Sequence, residues 1–102
     1  MTDNCLVITG ELIRAPRYRT SPGGIEHCQF WLSHRSHQIE AGLSRSAQCS
    51  IGVVASGQEF RQELLPLSMG CQVRVRGFLQ TQRSRNGESK LILHAQQIEL
   101  LS

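Results

Sequence analysis

Residues 70–100, "GCQVRVRGFLQTQRSRNGESKLILHAQQIEL", decide how this chain folds. The stretch opens with period two. Cys71, Val73, Val75, Gly77 and Leu79 fall on one side; Gln72, Arg74, Arg76, Phe78 and Gln80 fall on the other. Such alternation marks a strand with one face buried. Asn86-Gly87 then supplies a turn, because both residue types tolerate positive φ. Residues 89–100 alternate again, with Leu91, Leu93 and Ala95 against Lys90, Ile92 and His94. The whole stretch reads as strand, turn, strand. Its tip carries Arg83, Arg85 and Lys90, charges that the turn itself does not need.

Working outward, residues 46–54 place Ala47, Cys49, Ile51 and Val53 inward, with Gln48 and Ser50 outward. Residues 25–36 place Cys28, Phe30 and Leu32 on one face and Gln29, Trp31, Ser33 and Arg35 on the other. Residues 4–14 read as a further strand, with Gly10 marking a bulge or sharp bend. "APRYRTSPGG" and the polar "HQIEAGLSR" read as loops. Phe60, Leu64 and Leu65 recur at helical spacing and Pro66 closes the segment. The expected fold is all-β: a five-stranded barrel of OB-fold type, with a short helical segment between strands 3 and 4, in one domain spanning residues 1–102. An SH3-like barrel would show nearly the same periodicity.

The chain has 102 residues, of which 39% are apolar and 19% charged. That composition fits a globular protein rather than a disordered one. No apolar run approaches the roughly 18 residues of a membrane span. The N-terminus lacks the basic and apolar regions of a signal peptide, so a cytoplasmic location is expected. Cys5, Cys28, Cys49 and Cys71 each stand alone in an apolar stretch, without C-x-x-C or finger spacing. They read as small buried hydrophobes, and no metal or other cofactor is expected. His27, His34, His37 and His94 have no carboxylate placed to build a catalytic site, and "SPGG" lacks the Lys and helix of a phosphate-binding loop. An enzyme is not expected.

Charge is more informative. The chain carries 11 Lys and Arg against 8 Asp and Glu. Basic residues concentrate where an OB-fold binds polyanions. The loop after strand 1 holds Arg14, Arg17 and Arg19. The last hairpin holds Arg83, Arg85 and Lys90. Strand 2 and the loop after it add Arg35 and Arg45. All but one of the basic residues are arginine, which suits phosphate forks. Aromatic residues are few, at 5%. Trp31 and Phe78 stand on outward faces and Tyr18 lies in the first loop. Trp31 suits a base platform or a subunit contact about equally, and Phe78 suits a contact beneath a loop or between subunits. Nucleic-acid binding is the reading these residues favour; a protein-interaction OB module and a single-stranded RNA-binding protein are the alternatives.

"RAPRYRTSPGGIEHCQFWLSHRS", "SAQC" and "VRGFLQTQRSRNGESKLILHAQQIEL" together resemble primosomal replication protein N, the PriB family. The resemblance spans nearly the whole chain and is weakest at "GQEFRQELLPLSMG". It implies an OB-fold homodimer related to bacterial single-stranded DNA-binding protein. It further implies sequence-independent binding of single-stranded DNA in the replication-restart primosome, with PriA helicase and DnaT as partners at stalled forks.

The family's basic DNA contacts carry over to Arg14, Arg19, Arg35, Arg45, Arg83, Arg85 and Lys90. Its aromatic contact falls on Gln48, in "AQC" where the family pattern has A-W-C. Gln can hydrogen-bond a base but offers no π-face, so a stacking contribution of roughly 1–3 kcal/mol per base is lost there. Trp31 is the expected replacement. If strands 2 and 3 pair as a hairpin, residues 31 and 48 are expected to be near neighbours on the outward face.

Overall fold

A computed structural model describes residues 2–102. Six strands form one sheet: β1 (Leu6–Leu12), β2 (Arg17–Thr20), β3 (Glu26–Glu40), β4 (Leu43–Ser56), β5 (Gln72–Arg83) and β6 (Ser89–Leu100). Their order is β1-β5-β6-β4-β3-β2, and β1 also pairs with β3, which closes the sheet into a barrel. Among the described residues only β4 and β6 run parallel. Five strands make the barrel; β2 is a short flap on β3, with Tyr18 opposite Cys28 and Arg19 opposite His27. The architecture is an OB-fold.

The flap changes the count expected above. The helical segment, a 3₁₀ turn over Gln58–Phe60 and α1 over Arg61–Leu64, follows β4 rather than the third strand. All four residues of β2 are exposed, so no buried alternation announces the strand. Within the segment Phe60 and Leu64 are buried while Leu65 is 81% exposed, contrary to the helical spacing that grouped all three.

The core lies inside the barrel. Phe30, Leu32, Val53, Val73, Val75 and Leu93 are all fully buried, and Phe60, Leu64 and Leu67 cap one end. β1 changes partners along its length: Leu6–Glu11 pair with β5, and Glu11–Leu12 with β3. Gly10 stands at this bend, where a Cβ would lie 2.8 Å from the Ser33 carbonyl oxygen. The expected bend is therefore a close backbone approach.

Two strands reach further than their hydrophobic pattern. "HQIEAGLSR" is not a loop: β3 and β4 continue through it as a polar arm, turning at Ala41-Gly42, both with positive φ. A two-residue turn of that kind matches the twist of a hairpin. Beyond the barrel the arm has no opposite wall. Cys49 therefore keeps its inward side yet is exposed, and Cys5 is exposed as well. Of the four cysteines expected to be buried, only Cys28 is, while Cys71 is half-buried.

The last hairpin also differs at its tip. Ser84 N donates to Glu88 O at 2.8 Å and Gly87 N to Ser84 O at 3.1 Å, so three residues form the loop. Gly87 alone adopts positive φ there; Asn86 instead accepts the Glu88 N–H through Oδ1 at 3.2 Å. Arg85 thus sits in the turn, and Arg83 is the last residue of β5.

Candidate nucleic-acid interface

The outward faces of β3, β4, β6 and β5 lie side by side. Register places Trp31 beside Gly52, Gly52 beside Ile92, and Ile92 beside Gln80. Glycine at 52 makes room for the indole. A Cβ there would lie 2.9 Å from Ile92 Cδ1 and 3.1 Å from Trp31 Cζ3. Trp31 and Ile92 therefore converge over the bare backbone, as aromatic side chains do beside strand glycines. Trp31 is half-buried rather than exposed. Ile92 is 1% exposed on the side that alternation assigns to solvent, while Leu91, expected inward, is 56% exposed. Lys90 Nζ lies 5.6 Å from the Trp31 ring centroid, within cation–π range.

The neighbouring row runs Arg17, Gln29, Val54, His94, Phe78. Phe78 and His94 stack face to face, centroids 5.0 Å apart and planes inclined by 5°. Lys90 stands opposite Gln82, and Arg83 opposite Ser89, at the base of the turn that carries Arg85.

The arm holds the other expected residues. Arg35 faces Gln48, and Arg45 lies near the tip. Trp31 faces Gly52, so Trp31 and Gln48 are not near neighbours. They share a face but stand four residues apart, about 13 Å along the strand. Arg14 lies between β1 and β2, and Arg19 on β2. The arm, the last hairpin, and the flap with the segment before it therefore carry the expected cations, and Lys90 is the one that lies over Trp31.

Ion pairing separates these cations. Among the described residues, Arg45 pairs with Glu40 at 2.6 Å, Arg74 with Glu99 at 3.0 Å, and Arg61 with Glu26 through two donors. The other eight of the eleven basic residues have no carboxylate partner among the described residues. Six of the seven family positions, all but Arg45, are in that unpaired set. The Glu40 pair is exposed on both sides, and such pairs yield readily to a stronger anion.

The hydrogen bond from Arg61 holds the Glu26 carboxyl below its usual value and raises the Arg61 guanidinium in turn. Burial pushes the Cys28 thiol up, so it is a packing group and a poor nucleophile. No three His, Cys, Asp or Glu side chains among the described residues gather as a metal site. No helix among them is long and apolar enough to cross a membrane.

Sequence reasoning left out Gly52, the Phe78–His94 stack and Arg17 as an element of the face. A glycine inside an apolar strand was the available signal for the first. Pairing the two alternating strands of residues 70–100 residue by residue would have found the second.

Residues 4–97 match the model of a family described as "another single-strand binding protein family". The replication restart protein PriB of Photorhabdus laumondii is 48% identical over 101 residues, covering 99% of this chain and 96% of that protein. PriB of Ralstonia solanacearum shares the fold, with a TM-score of 0.79 at 23% identity over 99% of this chain and all of that one. So does the Plasmodium falciparum single-stranded DNA-binding protein solved with single-stranded DNA: TM-score 0.81 at 15% identity, over 100% of this chain and 97% of that one. Identity near one half along essentially its full length, together with the matching family model and the OB barrel, establishes that this chain belongs to the PriB family of replication restart proteins.

Proposed function

We propose that this chain binds single-stranded DNA without sequence preference, as an accessory protein of the replication-restart primosome. The observation that carries the reading is the set of unpaired cations on the last hairpin, the arm and the flap side, with Lys90 lying over Trp31. Arg83, Arg85 and Lys90 come from the last hairpin, Arg35 from the arm, and Arg14 and Arg19 from the flap side; Arg45, on the opposite face of the arm from Arg35, adds a cation near the arm's tip once its Glu40 pair opens. Each phosphate they neutralise releases counterions, which drives binding and makes it salt-dependent. Gln48 offers a base an amide, and Trp31 offers a π-face once Lys90 moves aside.

Family membership extends the reading. The chain acts as a homodimer of single OB-fold domains in the cytoplasm, bridges PriA helicase and DnaT at stalled forks, and catalyses no reaction itself. That the Plasmodium neighbour was solved with single-stranded DNA supports the ligand class.

The test is a titration with oligo-dT, competed by oligo-U and by duplex DNA, with Trp31 emission followed throughout. Trp31 is the only tryptophan, so the signal has one source. Preference for oligo-dT with quenching is expected. Preference for oligo-U would favour an RNA-binding protein, and binding to none of the three a protein-interaction module. Binding that leaves Trp31 emission unchanged would remove the indole from the interface.

A further inference from the structure

The stack of Phe78 on His94 has no role in the cation-and-Trp31 interface, yet it lies on the same outward face. Two features bring the rings together. A β-bulge falls between Arg76 and Gly77. At Gly77 the β5 backbone presses on β6 so closely that a Cβ would lie 1.9 Å from the His94 carbonyl oxygen. Phe78 is the next residue, and it is directly opposite His94 in the register. Bulges re-aim side chains in this way, and they are frequent beside binding sites.

Two clefts meet beside the stack. One, of about 220 Å³, is lined by Val54, Phe60, Phe78 and His94, with Glu59 at its side. The other, of about 240 Å³, is lined by Arg17, Arg19, Gln29 and again Val54. Val54 therefore joins an apolar, aromatic cleft to a basic one. The Glu59 carboxylate repels phosphate, so the aromatic cleft admits a base and not the backbone. The two arginines next door suit a phosphate. An uncharged planar group beside an anion is the chemistry of one nucleotide.

We propose that Phe78 and His94 form a second nucleobase platform, with the adjoining phosphate held at Arg17 and Arg19. The proposal rests on the single-stranded DNA reading above. His94 lies one same-face step along β6 and two strands across from Trp31, about 12 Å away by strand spacing. The bound strand therefore crosses the sheet from Trp31 to the stack, rather than following the arm alone. Because every base has a π-face, this platform adds affinity without adding sequence preference.

The experiment compares oligo-dT with a strand of equal length whose bases are replaced by abasic sites, at one salt concentration. Parent, Phe78→Leu and His94→Ala proteins are titrated with each strand, and the mass of each protein in solution is measured. The parent should bind oligo-dT more tightly than the abasic strand. Each variant should narrow that ratio about fivefold or more, the lower end of what losing one stacked base does. Affinity for the abasic strand should stay within about twofold, since neither variant removes a phosphate contact. His94→Ala carries the test if Phe78→Leu does not fold. A ratio unchanged in both variants overturns the platform. So does an unchanged ratio with an altered mass, which would place the stack at a subunit contact. A parent that binds neither strand overturns the single-stranded DNA reading along with it.

Discussion

Replacing Arg83 and Arg85 together by alanine tests the electrostatic reading most directly. Neither side chain has a carboxylate partner among the described residues, so their removal leaves no acid uncompensated. Their loop is held by backbone bonds between Ser84 and Glu88 and by Asn86, none of which uses an arginine. The fold should therefore survive. For single-stranded DNA the slope of log K against log salt is about −0.7 per phosphate neutralised. Seven contacts give a slope of about −4.9, and five give about −3.5. Between 50 and 200 mM salt the parent should lose about 900-fold in affinity and the variant only about 130-fold. The assay is anisotropy of labelled oligo-dT across that salt range, with melting temperature as a control for folding. A slope unchanged by the double substitution would refute the role of this hairpin, however much the affinity itself fell.

Three further outcomes are expected. Gly52→Ala forces a methyl between Ile92 and Trp31, and should cost about 1–3 kcal/mol in urea unfolding while shifting Trp31 emission; a change under about 0.5 kcal/mol would show that the indole is not seated on that glycine. Lys90→Ala should lower the salt slope by about 0.7, yet weaken oligo-dT binding less than Arg83→Ala does at the same salt; an equal or larger loss would deny that Lys90 competes for the Trp31 face. Glu26→Gln should lower the melting temperature at neutral pH. The Glu26 carboxyl has its folded-state value below 4.5, so the contribution is fully present above 4.5 and disappears as pH falls through the lower folded value. Melting curves of parent and variant should converge only in acid below that range, and a difference independent of pH would refute the ion-pair explanation.

Where apolar residues alternate against a closed core, the sequence was enough to place the strand. Residues 72–80 of β5 and the inward face of β3 are examples, because each inward side chain there buries area against an opposite wall. The arm was missed for the opposite reason. His37 to Arg45 bury almost nothing, and their strand character comes from backbone pairing that leaves no hydrophobic period. Its register could still have been read. A two-residue turn at Ala41-Gly42 sets Glu40 against Leu43, and every later pair follows, including Trp31 with Gly52 and Arg35 with Gln48. Treating "EAGL" as loop lost that information, and with it the correct spacing of Trp31 from Gln48. Ile92 was misassigned because alternation knows only one buried side. Here the outward side is locally buried too, by an indole two strands away that a glycine on the intervening strand admits. The cations were legible as residues but not as a set, since Arg45 and Arg35 look alike until Glu40 is seen beside only one of them.

The contact between Lys90 and Trp31 joins the two halves of the binding argument. In the free chain the cation occupies the π-face of Trp31. On the proposed reading, an incoming phosphate would draw the ammonium outward, and the same movement would uncover the ring for the neighbouring base. Charge neutralisation and stacking are then successive consequences of one displacement rather than independent terms. The losses from removing Lys90 and Trp31 should accordingly not add, because either change alone abolishes the exchange. With Gln48 giving no π-face on the arm, the sheet face must supply the stacking that remains, and the cations must supply most of the affinity. Binding built this way would weaken steeply with salt and discriminate little among bases, which would suit the proposed role at exposed single-stranded DNA.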